Sequence, residues 1–489
     1  MGFLDPPGLF KGQADSLYVG RSAFQGIRSR DFPGPAAFPT VNTAPGTQVL
    51  SAAGASSSIT SFQQIRPTHT VFRVLHGQVA RASSYPDYLG WRNTWTSTTS
   101  GGWAVEFDLD TVGGVFEVLT KGDGAKLTVL INGQYLAASA VTVPAGGALY
   151  NLIVTLSSGG FYRVRIELDG QTRFFGVNVG PTDAVYAAPR RPIRAAWVGD
   201  SFSEPTISDS GGSHHGQGMV PMFGWATGWD VYPAGRGGTG FMNPGTYVKY
   251  ADRLPEILAV PNLDIVIFQL SGNDVTYTTA QVVAQVQACI TLARAAGFVF
   301  SNQIIVMSSW WNKQSQGMPA ALIDQNNQVQ ALCATLGIPF VDTLIPAVSN
   351  GVSSTVATAI TSGQSQLVIV DRFPSVADSP AGNLAGGEYF VQIGNSGSSA
   401  LEVRQVQSVS GSGPYTLGLT SGVGNTHAVG ESVIQVGKGV LTGTGYQGAT
   451  TGSGSSDRFT GTDGTHPTVA GARWRGAAYA ARLQQIIPR

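Results

Sequence analysis

The sequence predicts a multidomain chain mixing α/β with all-β structure. Its parts are a doubly wound domain on a parallel sheet, an N-terminal β-sandwich of jelly-roll type and a small inserted β module. Three observations predict this. Near-continuous apolar runs at 195–198, 265–270, 304–307 and, more briefly, 339–341 alternate with helical patterns; runs apolar on both faces mark parallel strands covered by helices. Between residues 68 and 189, short alternating runs are separated by Asn132-Gly133 and Asp169-Gly170, which are strong hairpin signals. Near Asn350 the α/β alternation stops, short strand-like runs and Gly/Ser turns follow, and a helical pattern returns only after Pro467.

In chain order, residues 1–65 are rich in Gly, Pro, Ala and Ser with little periodicity, so they read as an extended arm or attachment segment. Residues 66–190 carry the β-sandwich pattern, as in the alternation of Trp103, Val105, Phe107 and Leu109. Residues 191–349 form the first part of the α/β domain. Its helical patterns at 279–296 and 319–336 are followed by Gly297 and Gly337, which are expected to close them. Residues 350–449 form the inserted module, with runs at 366–370, 389–393, 401–406 and 415–419, and read as a surface unit that does no chemistry. Residues 450–489 return to the α/β domain. There Ala470, Trp474, Ala477, Ala478 and Leu483 are spaced for a last helix running from Pro467 to Ile487.

The 489 residues exceed what one core holds. Charged residues are only 12%, and 29 basic residues balance 29 acidic ones without a basic stripe, which gives nucleic-acid binding no electrostatic support. No stretch approaches the ~20 apolar residues of a membrane span. The start of the chain has neither a basic segment nor a long apolar one, so no signal peptide is expected. Pro6 stands where myristoylation would need Ser or Thr. Cys289 and Cys333 lie in helical patterns without a C-x-x-C partner and read as small buried hydrophobes. Neither metal nor cofactor is expected.

Two motifs carry chemistry. Gly199-Asp200-Ser201 follows the first apolar run, at the carboxyl end of a strand, where open α/β folds bind ligands. A helix starting near Ser203 would aim its amides at that end. Asp463-Gly464-Thr465-His466 precedes the last helix. Together they supply a nucleophile, a base and an orienter. Taken singly, the first reads rather as a turn or N-cap and the second as a surface loop. Two more elements stand at strand ends between them: Gly235-Arg-Gly-Gly-Thr-Gly240 and Ser271-Gly-Asn-Asp274.

In this order and context, the four elements resemble the SGNH (GDSL-like) hydrolase family of esterases and lipases. The resemblance covers residues 191–349 and 450–489. It implies Ser201 as nucleophile, His466 as general base and Asp463 as the residue orienting His466. It also implies an oxyanion hole made by the N–H groups of Ser201 and Gly238 with the Asn273 side chain; Gly237 is the alternative to Gly238. Phe202 stands where the family has Leu, and Ser271 where the family has Gly.

Other features compete for roles. Gly235-x-Gly-x-x-Gly240 matches a dinucleotide fingerprint, but Phe241-Met-Asn-Pro-Gly245 cannot open the helix that motif requires. His214-His215 reads as a solvated loop pair or a substrate contact. Trp310-Trp311, past the run at 304–307, reads as packing or as a stacking surface for sugar rings. Asp274 is expected to fix its loop rather than react.

An SGNH core with a β-sandwich and a β insert resembles carbohydrate-active esterases that remove acyl groups from polysaccharides. The insert, with Glu402-Val-Arg-Gln-Val406 and Thr426-His-Ala-Val-Gly430, resembles short β modules of bacteriophage tail proteins. The resemblances imply a virion-associated or extracellular enzyme acting on acylated surface glycans, with a homo-trimer possible for a tail component. The alternatives are a cytoplasmic esterase, a lipase on long acyl chains and a glycan-binding adsorption protein without activity.

Overall fold

The computed structural model describes residues 39–75, 79–82, 85–91, 102–121, 124, 126–169, 172–204, 215–309, 319–342, 348–371, 389–394, 400, 402–437, 446–450 and 459–486. The chain is mixed α/β with several sheets, one of them parallel.

The parallel sheet has five strands: β1 (Arg194–Gly199), β2 (Asp230–Gly235), β3 (Ile265–Gln269), β4 (Ile304–Met307) and β5 (Phe340–Val341). They run in the order β2-β1-β3-β4-β5. Successive residues point to opposite faces, and both faces are apolar. Ala195, Trp197, Ile265, Ile267, Ile305 and Met307 pack on α1 (Met219–Thr227) and, near the chain end, α5 (Val469–Ile486). Ala196, Val198, Val266, Phe268, Ile304 and Val306 pack on α2 (Tyr250–Leu258), α3 (Thr279–Ala295) and α4 (Ala320–Leu336). This is a doubly wound sheet. Its order turns back at β1 and β3, so the crevice past their carboxyl ends is the expected place for a ligand.

The helix ends follow local chemistry. Thr278 and Gln281 form a capping box on α3. Gly337 closes α4 at φ 65°, a conformation that a Cβ disfavours. Gly297 follows the α3 cap residue, Ala296, at φ 100°. Cys289 and Cys333 are buried, and burial pushes both thiols up to about 12, which keeps them inert.

Before the α/β unit lie two antiparallel seven-stranded sheets that share one core. Trp103, Val105, Phe107, Val129 and Ile166 come from one sheet, and Phe116, Val118, Leu152, Val154 and Val177 from the other. Residues 46–65, expected in the loose arm, correct that boundary. Gly46–Leu50 pairs with Tyr150–Leu156, and Gln63–Ile65 pairs with Arg173–Val179. These strands are short and mostly polar, so their backbone pairing leaves little apolar periodicity in the sequence. Residues 1–38 lie outside the described residues.

The insert is a six-stranded antiparallel sheet in the order Val348–Thr355, Ser432–Gly437, Tyr389–Ile393, Glu402–Ser410, Tyr415–Leu419, Gln366–Ile369. Val356, Leu367, Val391, Val406, Leu417 and Val433 form its own core.

Strand Gly102–Thr111 joins the N-terminal unit to the α/β unit. Its apolar residues face the shared core, yet Glu106 and Asp108 on the opposite face are only 3% and 6% exposed. Glu106 pairs with Arg165 and Arg191, and both guanidiniums lie over the Trp225 ring of α1, at 5.0 and 5.3 Å. Leu130, Tyr135, Met222 and Trp225 form a small apolar cluster across the same boundary.

Candidate active site

β1 ends at Gly199, and the chain turns sharply there. The Gly199 carbonyl accepts from Arg236 N–H (3.1 Å) and Arg253 Nη2 (2.5 Å). A Cβ on Gly199 would lie 2.2 Å from Ser203 Oγ, so any larger residue would force the Ser203 side chain to move. The Asp200 carbonyl accepts from Ser203 N–H, Ser203 Oγ and Glu204 N–H. Residues 201–204 are thus a tight turn; a helix opening near Ser203 would continue into residues outside the described ones. The residues that follow, 205–214, lie outside the described residues.

The Asp200 side chain is buried. Oδ1 accepts from Phe202 N–H (3.0 Å), and Oδ2 pairs with Ser271 Oγ (2.7 Å). Burial pushes this carboxyl up, and the hydrogen bonds from Ser271 and Phe202 oppose the shift only in part. Ser201 is half-buried, and its N–H has no hydrogen-bond partner among the described residues.

β2 delivers the glycine-rich loop alongside. A Cβ on Gly237 would lie 3.6 Å from Ser201 Cβ and 3.0 Å from Glu204 Oε2. The Gly237 N–H donates to Glu204 Oε2 at 2.7 Å. Gly238 has φ 73°, faces open space, and its N–H has no partner among the described residues.

β3 delivers the third element. Ser271 Oγ reaches Asp200 Oδ2 and the Thr239 carbonyl (3.0 Å) and accepts from Asn273 N–H (3.1 Å). The serine in place of a glycine therefore ties three loops together. Asn273 Nδ2 donates one proton to the Thr239 carbonyl at 3.0 Å; the same nitrogen carries a second. Asp274 accepts from the N–H groups of Phe241, Met242 and Asn243, so it holds the loop after β2. Burial pushes its carboxyl up against those three bonds.

The fourth element precedes α5, whose Thr468 hydroxyl accepts from Gly471 N–H. The helix begins at Val469, two residues later than the periodicity suggests. Asp463 Oδ1 accepts from the N–H groups of Thr465 (2.8 Å) and His466 (2.9 Å), and Oδ2 pairs with His466 Nδ1. Burial pushes the Asp463 carboxyl up, but the bonds from the His466 ring and the two amides outweigh it and hold the group below its ordinary value. His466 Nε2 is buried without a hydrogen-bond partner among the described residues. The His466 ring packs on Phe202, centroid to centroid 5.5 Å, and the Arg475 guanidinium of α5 lies 4.9 Å from the same Phe202 ring.

Ser201, Gly238, Asn273, Asp463 and His466 thus belong to one contact network at one end of the sheet. Trp310, Trp311 and His214 lie outside the described residues. His215 opens a single 3-10 turn, His215–Gln217, and its side chain is likewise outside them. The next residue, Gly216, donates its N–H to Glu167 of the N-terminal unit.

Sequence reasoning missed three supporting residues. Arg253 is fully buried in α2 and bridges the Gly199 carbonyl and Thr239 Oγ1; burial lowers it to about 10. Its signal was a charge on the apolar face formed by Tyr250, Leu254 and Ile257. Glu204 and Arg236 form a buried ion pair under the glycine loop, and no periodicity announced it. Among the described residues, no group of three His, Cys, Asp or Glu side chains is placed to hold a metal ion.

No protein-family model and no curated protein matches the chain. Solved structures do resemble it. A family two carbohydrate esterase from Cellvibrio japonicus aligns with TM-score 0.46 and 12% identity, over 58% of this chain and 88% of that one. An acetyl xylan esterase from the rumen bacterium Butyrivibrio proteoclasticus gives 0.42 and 14%, over 58% and 90%. A salicylyl-acyltransferase from a tetracycline biosynthetic pathway gives 0.42 and 14%, over 57% and 85%. At these TM-scores the likenesses decide nothing about the chemistry.

Proposed function

We propose that the chain is a serine esterase that deacylates a polysaccharide. One observation supports it above the others. His466 has Nδ1 committed to Asp463 while Nε2 is buried and unpartnered among the described residues, on a ring packed against the residue after Ser201. An imidazole held that way is poised to accept a proton through Nε2.

In this reading Ser201 Oγ attacks the ester carbonyl carbon as His466 Nε2 takes its proton. The C=O electron pair moves to oxygen, and the N–H groups of Ser201 and Gly238 with Asn273 Nδ2–H stabilise that oxyanion. The choice of Gly238 over Gly237 is supported by Gly237 N–H already being bound to Glu204. Collapse breaks the bond to the sugar oxygen, which leaves with the proton from His466. Water, deprotonated by the same nitrogen, then attacks the acyl-enzyme; the acid leaves and Ser201 regains its proton. Asp463 fixes the tautomer and stabilises the imidazolium.

The carbohydrate half of the reading rests on the resemblance of the sequence and its accessory β units to polysaccharide deacylases. We read residues 46–190 as a jelly-roll-like accessory unit and 350–449 as an insert in a hydrolase formed by 191–349 and 450–489. The action on host-surface glycans as a virion component rests on the pattern of the insert alone. Acetate release from a panel of bacterial polysaccharides, measured by mass spectrometry, tests the function. Release by the wild type and none by Ser201→Ala is expected. Glycan binding with no release would leave an adsorption protein, and turnover confined to long-chain lipid esters would leave a lipase.

A further inference from the structure

Three residues after Ser201, the buried Glu204 carboxylate reaches across to the next loop. Its backbone N–H closes the turn on the Asp200 carbonyl (3.1 Å). Its Oε2 accepts from Gly237 N–H at 2.7 Å, and its Oε1 pairs with Arg236 Nη1. One side chain therefore joins the turn that carries Ser201 to the loop that carries Gly238. The contact is close-fitting: a Cβ on Gly235 would lie 2.5 Å from Glu204 N and 2.4 Å from the Ser203 carbonyl carbon, and one on Gly237 would lie 3.0 Å from Glu204 Oε2. Glycines at 235 and 237 are what allow the two segments to meet.

We infer that Glu204 is a positioning residue for the oxyanion hole. By binding Gly237 N–H it removes that amide from the cleft, fixes the Arg236–Gly237 peptide plane one residue ahead of the Gly238 amide, and leaves Gly238 N–H as the donor that meets the substrate oxygen beside Ser201 N–H. Arg236 orients the carboxylate through the ion pair, and a carboxylate acceptor gives a short, strong bond to an amide. Donors aimed at the oxyanion act in the transition state rather than in the ground state. Glu204 therefore acts on kcat, not KM.

This inference rests on the esterase reading, and the test separates the two. Removing one partner of the buried pair would leave a lone charge, so two double variants are compared. Glu204→Gln with Arg236→Met keeps an acceptor for Gly237 N–H; Glu204→Leu with Arg236→Met removes it. The Leu pair is expected to lose about 10- to 100-fold in kcat relative to the Gln pair at similar KM. Its affinity for an alkyl boronic acid, which forms a tetrahedral adduct on Ser201, falls by the same factor. Equal kcat in the two pairs, or a loss confined to KM, would overturn the inference while wild-type turnover kept the esterase reading intact. Wild-type protein without Ser201-dependent turnover would overturn both. Should the Leu pair not fold, the wild type answers with glycine-selective 15N labelling. On boronate addition the Gly238 amide proton moves downfield and the Gly237 amide stays in place; the reverse pattern contradicts the inference.

Discussion

Asp463 and His466 are three residues apart and pair within a single turn, so their geometry owes little to the rest of the fold. Asp463→Asn keeps the shape of the turn but can stabilise neither the imidazolium nor the required tautomer. A fall in kcat of roughly 100- to 10,000-fold with KM little changed is expected from steady-state kinetics. The Asp463 carboxyl lies below its ordinary value. A depressed carboxylate stabilises the fold above its unfolded value and loses that contribution as pH falls through the folded one. The acid side of the activity profile above the ordinary carboxylate range therefore reports a group other than Asp463. Ser271 makes a separate prediction. Ser271→Ala strips Asp200, Thr239 and Asn273 of a shared partner inside the protein, and a stability loss of about 1–3 kcal/mol is expected by urea titration. These residues differ in how far the sequence reveals them. Ser201, Asn273, Asp463 and His466 stand in short motifs. Asp200, Glu204, Arg236 and Arg253 act through partners 14 to 71 positions away, a separation no local pattern encodes.

At the scale of elements, the strand ends of the parallel sheet are built from glycines with different tasks. Gly235 is steric: a Cβ there would meet the Ser203–Glu204 backbone at 2.4–2.5 Å. Gly238 is conformational, with φ 73° and open space around it. Gly235→Ala is expected to destabilise the protein by ~2 kcal/mol or more, because backbone must move. Gly238→Ala is expected to lose only about 1 kcal/mol. Thermal melts of the two variants check the ranking. The strands of this sheet were legible because both faces are apolar, and α3 and α4 because their spacing and closing glycines agree. Gly46–Leu50 and Gln63–Ile65 were not. Their place in a sheet is set by the partners Tyr150–Leu156 and Arg173–Val179, about a hundred residues away.

Across the whole molecule, charge is spent at boundaries and inside the insert. The alternation of Gly102–Thr111 reads as one face in and one face out, yet Glu106 is buried beneath Arg165 and Arg191, which lie over Trp225 of the α/β unit. Alternation records which residues share a face, not whether a second domain covers it. The insert holds a comparable cluster. His427 is fully buried, with Nδ1 on Glu431 (2.8 Å) and Nε2 on Glu402 (2.7 Å). Burial pushes Glu402 up, but bonds from Gly424 N–H, His427 and Asn425 N–H outweigh it. Glu431 is drawn down chiefly by His427, so both carboxyls lie below their ordinary 4.5. Their contribution to stability is full above that value and is lost as pH falls through the depressed ones. Hydrogen exchange across residues 402–437 should stay protected from pH 7 down to about 4.5 and lose protection progressively as pH falls further. A loss of protection that sets in above that value would contradict it.

The central claim is that Ser201 is a nucleophile activated by His466. Its most direct test is covalent labelling with a fluorophosphonate probe, followed by peptide mapping by mass spectrometry. A single adduct on the peptide containing Ser201, formed by the wild type and at least 100-fold slower in His466→Ala, is the expected result. No adduct, an adduct on another residue, or labelling unaffected by loss of the imidazole would contradict it.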